Sequence, residues 1–399
     1  MAAGERGLFA SPAVEAALWS AAGAVAGEGA LDRRALAAAI RARSRRYTSE
    51  RQDMGAPSAQ RRRLADLAAR AVFFSVCDSP KLAVPIFELA GRAALPATGP
   101  VRILDLGAGC GGTALGALDA LSAGGVLRRG GLRAEILAVD RDREALSVAR
   151  AALSAAPWRE LSAVETLAAD ARRPGWCERR FDLALAGGLV NELAEDDAAS
   201  VLRRAMASLS PGGAVVIVEP ALRETSRALH RLRDAAIAEG HSVFAPCTRD
   251  RAPCPALADA RDWCHEDRPI RLPPRTRQLA GATGLRQHGA KFSYLVLRRE
   301  PLSLAGRATE PGSREARVVS RVRKQKGQSE CFVCSDEGRV RLRRLGRERS
   351  DANRGLDRAR RGDVLIVPAS ALATGRVDRT DEVASIDPAG EPDPGTGTF

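Results

Sequence analysis

The stretch VRILDLGAGCGGTALGAL, residues 101–118, limits the fold more than any other in the chain: an apolar run of strand length ends in an acid, and four glycines follow within six positions. A strand running through such a loop into a helix opens a doubly wound α/β sheet. The glycines let the backbone turn sharply and approach a ligand without Cβ clashes. The glycine spacing alone suits a dinucleotide as well as S-adenosylmethionine. The neighbouring residues favour the second. Asp105 precedes Gly107 by two positions, where it would meet the cofactor's charged amino acid moiety and would repel a pyrophosphate. AEILAVD ends at Asp140, positioned to take both ribose hydroxyls, and AADA puts Asp170 near the end of a third strand, where adenine is recognised. Gly107, Gly109 and Gly111 complete the expected cofactor set.

Further along, FDLALAGG, GAVVIVEP, SVFAP and KFSYLVLRR alternate with helix-periodic stretches such as REALSVARAAL and ETSRALHRLRDAAIAEG. This order predicts a parallel sheet with helices on both faces, and its landmarks resemble the class I S-adenosylmethionine-dependent methyltransferase (Rossmann-like) fold. Four regions are expected. Residues 1–98 read as an N-terminal helical region and 99–300 as the methyltransferase-like domain, with a cysteine-rich insertion at 247–268. Residues 301–367, with the short strands RVVSRVRK, ECFVC, GRVRLRRL and DVLIV, read as a basic β module. Residues 368–399, rich in Pro, Gly, Asp and Thr, read as a disordered tail.

The net charge of +13 points toward polyanions, although 58 of the 62 basic residues are arginine. Placement is more telling, because residues 314–361 carry 16 basic and 7 acidic side chains, a net +9. That segment is the candidate for nucleic acid, with Arg341, Arg343 and Arg344 as phosphate contacts. An aromatic content of 4% disfavours a reader built on base stacking and favours phosphate or shape contacts. No 18-residue apolar span suggests a membrane helix. The start MAAGERGLFASPAVEAALWSAAG has no basic segment followed by a compact apolar one, and it carries Glu5, so a cytoplasmic protein is expected; a monomer is expected as well.

Catalytic signals are weaker. After the fourth strand the chain reads AGGLVNEL, without the Asn-Pro-Pro-aromatic stretch that aligns an acceptor nitrogen; Asn191 and Glu192 could polarise an acceptor, but capping and solvating the next helix is the first expectation. Cys177, in GWCERR, lacks the context of a cytosine C5 enzyme. Methyl transfer can still proceed through proximity and desolvation alone.

Eight cysteines in a cytosolic chain suggest metal rather than disulfides. Cys77, Cys110 and Cys177 stand alone and read as small buried apolar residues. Cys247, Cys254 and Cys264 cluster in APCTRDRAPCPALADARDWCHEDRP, inside a long connection with little core of its own, where a metal centre would supply folding energy. A fourth thiolate is available at Cys331 or Cys334. Four thiolates suit tetrahedral zinc and a [4Fe–4S] cluster alike.

The DLGAGCGG loop, the NEL after strand four, the VEP after strand five, the Cys-Pro with Trp-Cys-His insertion and a late cysteine before an acidic-Gly turn together resemble the mitoribosomal small-subunit methyltransferase-like assembly factor family and its bacterial relatives, over about residues 30–367. Ala221 after Glu219-Pro220, where the family often has Gly, and the additional thiol of Cys331 depart from the pattern. The resemblance implies S-adenosylmethionine at Asp105, Gly107, Gly109 and Asp140. It also implies a [4Fe–4S] cluster on Cys247, Cys254, Cys264 and Cys334, and association with the small ribosomal subunit and its rRNA. A factor that binds without transferring a methyl group is the first expectation. An active methyltransferase of rRNA or ribosomal protein is the second, and a small-molecule methyltransferase with structural zinc the third.

Overall fold

The computed structural model describes residues 7–48, 60–127, 132–160, 162–249, 252–286, 289–306 and 310–389. A two-residue strand β1 (Leu8–Phe9) precedes helices Pro12–Ala26 and Arg33–Thr48. A third helix starts at Gln60–Ala69, widens into a π-helical turn over Arg70–Ser75, and passes through short turns into Ala83–Ala90. These helices pack on one face of the central sheet in a shared apolar core that includes Leu36, Ile40, Phe73, Ile86 and Leu115.

The central sheet holds β2 (Val101–Leu106), β3 (Ala134–Asp140), β4 (Ser162–Ala168), β5 (Phe181–Gly187), β6 (Leu209–Pro220), β7 (Ser242–Ala245), β8 (Glu266–Arg268) and β10 (Ala290–Arg298). A further strand, β9 (Ile270–Arg271), pairs in parallel with β1. The sheet order is β4-β3-β2-β5-β6-β10-β7, parallel except for β10, which runs antiparallel between β6 and β7 and also pairs β8. That order, with its single antiparallel strand inserted next to the last, is the class I methyltransferase topology. Ile103, Leu104, Val216 and Ile217 are buried because helices cover both faces, which is why these strands read as continuous apolar runs. The strand order reverses between β2 and β5, and a ligand crevice is expected outside the carboxyl ends at such a switch point.

The C-terminal module is a seven-stranded sheet of β11 (Ser313–Val318), β12 (Arg323–Gln325), β13 (Gln328–Ser335), β14 (Gly338–Leu345), β15 (Val364–Pro368), β16 (Arg376–Val377) and β17 (Ala384–Ile386). Two expectations are corrected here. RVVSRVRK is not one strand but parts of β11 and β12, separated at Val319–Val322. Residues 368–389, expected to be disordered, form the helix Ala369–Thr374 and strands β16 and β17, because Leu372, Val377 and Val383 complete the module's own core. The rest of that tail, 390–399, lies outside the described residues. The connection around the cysteines also contains the helix Pro274–Thr283, anchored by Glu15, whose carboxylate accepts the Thr276 N–H at 2.7 Å.

Candidate functional site

A cleft of about 1150 Å³ opens at the carboxyl ends of β2, β3, β4, β5 and β6. Gly107 and Gly109 line it with positive φ, +68° and +50°, which only glycine adopts without strain. The Asp140 carboxylate spans the loop entrance. Its Oδ2 accepts the Gly109 N–H and its Oδ1 the Asp142 N–H, each at 2.8 Å. Asp142 in turn caps the helix Arg143–Leu153 and pairs with Arg70 of the π-helical turn at 2.6 Å. That turn, with Phe73, Phe74 and Ser75, forms a wall of the cleft.

Two of the expected cofactor residues stand elsewhere. Asp105 is fully buried beneath the loop, outside the cleft lining, where Oδ2 accepts the Ala114 N–H at 3.1 Å and Oδ1 has no partner. Burial pushes its carboxyl up to about 8. Gly111 also misses the lining. Its φ is +84° and a Cβ there would stand 3.0 Å from Ala149, so it serves the packing of the helix Arg143–Leu153. Asp170 does line the cleft, but Arg172 grips it from the side at 2.6 Å and pulls its carboxyl down to about 2.

Sequence reasoning assigned Asn191 to helix capping, and the structure gives it a different partner. Its Nδ2 donates to Glu219 Oε2 at 2.7 Å and to the Gly188 carbonyl at 2.8 Å, while Glu219 Oε1 accepts the Val190 N–H at 2.8 Å. Burial raises the Glu219 carboxyl to about 7. This pair, at the ends of β5 and β6, faces the cleft opposite Asp140 and Asp170.

A second, smaller space of about 60 Å³ lies where the cysteine loop meets the C-terminal module, and Cys247, Cys254, Cys264 and Cys334 all line it. Cys334 reaches it from β13. Cys331 cannot, because side chains alternate along a strand and positions three apart face opposite ways; Cys331 is buried in the module's core with Leu342. Burial, then the neighbouring thiols, push Cys254 up to about 11 and Cys334 up to about 12, and raise Cys264 as well. Among the described residues, no group of three or more His, Cys, Asp or Glu is placed to hold a metal ion as it stands. The four thiols form the wall of the space.

The scaffold under this loop is the helix Arg223–Ala238, expected from its periodicity as a helix but not as a support for the cysteines. His230 Nε2 accepts the Cys264 N–H at 3.0 Å, Asp234 accepts the Cys254 N–H at 3.0 Å, and Arg227 donates to the carbonyls of Ala256, Asp259 and Asp262 at 2.7–2.9 Å. Positions 227, 230 and 234 recur at i, i+3 and i+7, one helical face, so a polar stripe in RALHRLRD was the available signal. Among the described residues, Arg233 Nε, Trp263 Nε1, Arg317 Nε and Nη1 and Arg361 Nε are buried donors without hydrogen-bond partners, all on residues lining the same space. Such donors suit an anionic occupant.

The family model described as mitochondrial small ribosomal subunit Rsm22 matches residues 88–365. No curated protein matches the chain. Among solved structures, an O-methyltransferase family protein from Burkholderia thailandensis is 16% identical with a TM-score of 0.35, over 64% of this chain and 64% of its own length. Magnesium protoporphyrin IX methyltransferase from Synechocystis PCC 6803 is 10% identical with a TM-score of 0.36, over 65% and 95%. TrmN from Thermus thermophilus is 22% identical with a TM-score of 0.30, over 56% and 52%.

Proposed function

The chain belongs to the mitochondrial small ribosomal subunit Rsm22 family, and on that premise we propose that it is an assembly or maturation factor that binds the small ribosomal subunit and its rRNA, with S-adenosylmethionine in the large cleft and a [4Fe–4S] cluster in the cysteine cavity. One observation carries this reading. Cys334 belongs to the module that holds most of the chain's net positive charge, yet it lines one cavity with Cys247, Cys254 and Cys264 of the core. A centre bound there would fix the basic surface relative to the cofactor cleft.

The residues present fit both groups. In the cleft, Gly107 and Gly109 give the close backbone approach, and Asp140 offers acceptors to ribose hydroxyls. The cysteine cavity, at about 60 Å³, exceeds by several-fold the roughly 10–15 Å³ that one water requires. It therefore has room for a group held between the four cysteines. Bound there, the cluster would supply folding free energy to the loop. His230 and Asp234 hold the backbone of Cys264 and Cys254 in place from the helix beneath.

A second reading, an active methyltransferase of rRNA or ribosomal protein, is favoured by the volume of the cleft and by the Asn191–Glu219 pair at its far end. Removing the chain from its cells distinguishes the readings. Immature small subunits should accumulate while large subunits remain normal, and mass spectrometry of small-subunit RNA and proteins should find every methyl group still present. Loss of one methyl group would favour the second reading, and a normal subunit profile would overturn both.

A further inference from the structure

Phe332 is out of place for a packing residue. It is 41% exposed in the middle of β13, and only one other large apolar side chain among the described residues, Phe9, stands as open. Its ring has charged company. Arg341 is its direct partner across the β13–β14 ladder, and the Arg339 guanidinium sits 5.2 Å from the ring centroid. By strand alternation, Arg343, Arg341 and Arg339 share the face that Phe332 occupies, while Leu342 and Val340 turn to the module's core.

Beside this face projects a basic hairpin. From Arg321 to Gln328 the sequence RVRKQKGQ has four cations and no acid, and Arg323, Lys324 and Gln325 of β12 are all exposed. Lys324 and Lys326 have no ion-pair partner among the described residues. Arg321 and Arg323 reach Asp267 and Glu330 only at 3.7 and 3.8 Å, longer than the 2.7–2.9 Å typical of a charge-assisted hydrogen bond, and both remain mostly solvated.

We propose that this face is a binding surface for an unpaired RNA segment: a base stacks on Phe332 while its backbone runs along Arg323 and the hairpin turn that carries Lys326. The inference rests on the ribosomal RNA reading above and names the surface and the state of the RNA. A paired base keeps its faces inside the helix, so an exposed ring ringed by guanidinium groups is useful only to a base that has left the stack. Arg341 pairs with Glu330 and Arg339 with Asp262, but the face carries more guanidinium groups than carboxylates, and that surplus of positive charge complements phosphates. The Arg339 partner, Asp262, stands two residues before Cys264, so the position of the ring is tied to the cysteine cavity. The low overall aromatic content argued against stacking, but one exposed ring in a basic face suffices for a single base.

The test uses the full chain purified without oxygen. Its probes are a fluorescent single-stranded oligouridine, an RNA duplex of equal length, and a polyglutamate peptide. Phe332→Ala should weaken oligouridine binding by about five- to a hundredfold, since stacking on an aromatic ring is worth roughly 1–3 kcal/mol per base. Duplex binding and the thermal midpoint should not change, and Phe332→Trp should restore oligouridine affinity. Joint replacement of Arg323 and Lys326 by Ala should flatten the salt dependence of oligouridine binding by about 1.4 in log–log slope. If the wild type binds oligouridine and Phe332→Ala binds it equally well, this surface is wrong while the RNA reading stands. If no RNA binds even at low salt, the RNA reading itself fails. Polyglutamate binding that depends on Phe332, with RNA binding that does not, would reassign the surface to an acidic protein.

Discussion

The guanidinium of Arg317, on β11 of the C-terminal module, lies 2.8 Å from Glu88 Oε1 in the N-terminal helix Ala83–Ala90, and both side chains are buried. Tyr294 of the central sheet joins them, donating to Glu88 Oε2 at 2.7 Å and accepting from Arg317 at 2.8 Å. One ion pair thus ties all three parts of the chain together. Arg317→Met should cost about 3–5 kcal/mol, because it leaves Glu88 buried without a counter-charge and removes one of the cations facing Glu266. Combining it with Glu88→Leu should recover most of that loss. Urea unfolding checks both; a single variant as stable as the wild type would mean that the pair is dispensable.

Asp105 should give stability a distinct pH dependence. Burial raises its carboxyl from 3.8 to about 8, so the folded state holds the proton more tightly than the unfolded state does. The stabilising effect is full below about pH 4 and is lost as pH rises towards 8. Asp105→Asn cannot ionise. The melting temperature of the variant relative to the wild type should therefore climb steadily across that window, and a constant difference would show that Asp105 ionises normally in the fold.

Asp140→Ala should weaken S-adenosylmethionine binding by about ten- to a hundredfold, through loss of charge-assisted acceptors for the ribose worth roughly 1.5–3 kcal/mol. Calorimetry on the purified chain reads this directly. Equal affinity in the variant removes Asp140 from the site, and binding of NAD instead of S-adenosylmethionine would overturn the assignment of the loop.

The position of Cys334 at the cavity and of Cys331 in the module core separates two otherwise similar thiols. Protein purified without oxygen should be brown and contain iron and sulfide. Cys254→Ser and Cys334→Ser should each lose the colour and lower the melting temperature together, since cluster binding and loop folding are linked. Cys331→Ser should stay brown. Colourless, zinc-loaded protein would favour a structural zinc site.

Most of the sheet was legible because its central strands are buried on both faces and leave continuous apolar runs, as in VRILDL and GAVVIVEP. Gly107, Gly109 and Asp140 were legible as residues of one strand-end region, and they do line the cleft. Asp105 was misplaced because a carboxylate at a strand end reads the same whether it faces the ligand or the core. Arg344 was counted with the phosphate contacts, yet it is buried, donating to Asn353 Oδ1 at 2.9 Å and Asp357 at 2.6 Å. Charge counts do not distinguish a solvated arginine from an internal strut. The folded segment 368–389 was hidden by its Pro and Asp content, since Leu372, Val377 and Val383 are too widely spaced to show a period.

If a cysteine centre holds the basic module in place for binding to the small ribosomal subunit, losing that centre should release the protein from the subunit. Sedimentation of the purified chain with small subunits through a gradient, at low and at moderate salt, tests it most directly. The wild type should travel with the subunits at low salt and be largely released at moderate salt, whereas Cys334→Ser should remain mostly at the top under both conditions. Wild-type protein left at the top at low salt, or Cys334→Ser travelling with the subunits as fully as the wild type does, would contradict the account.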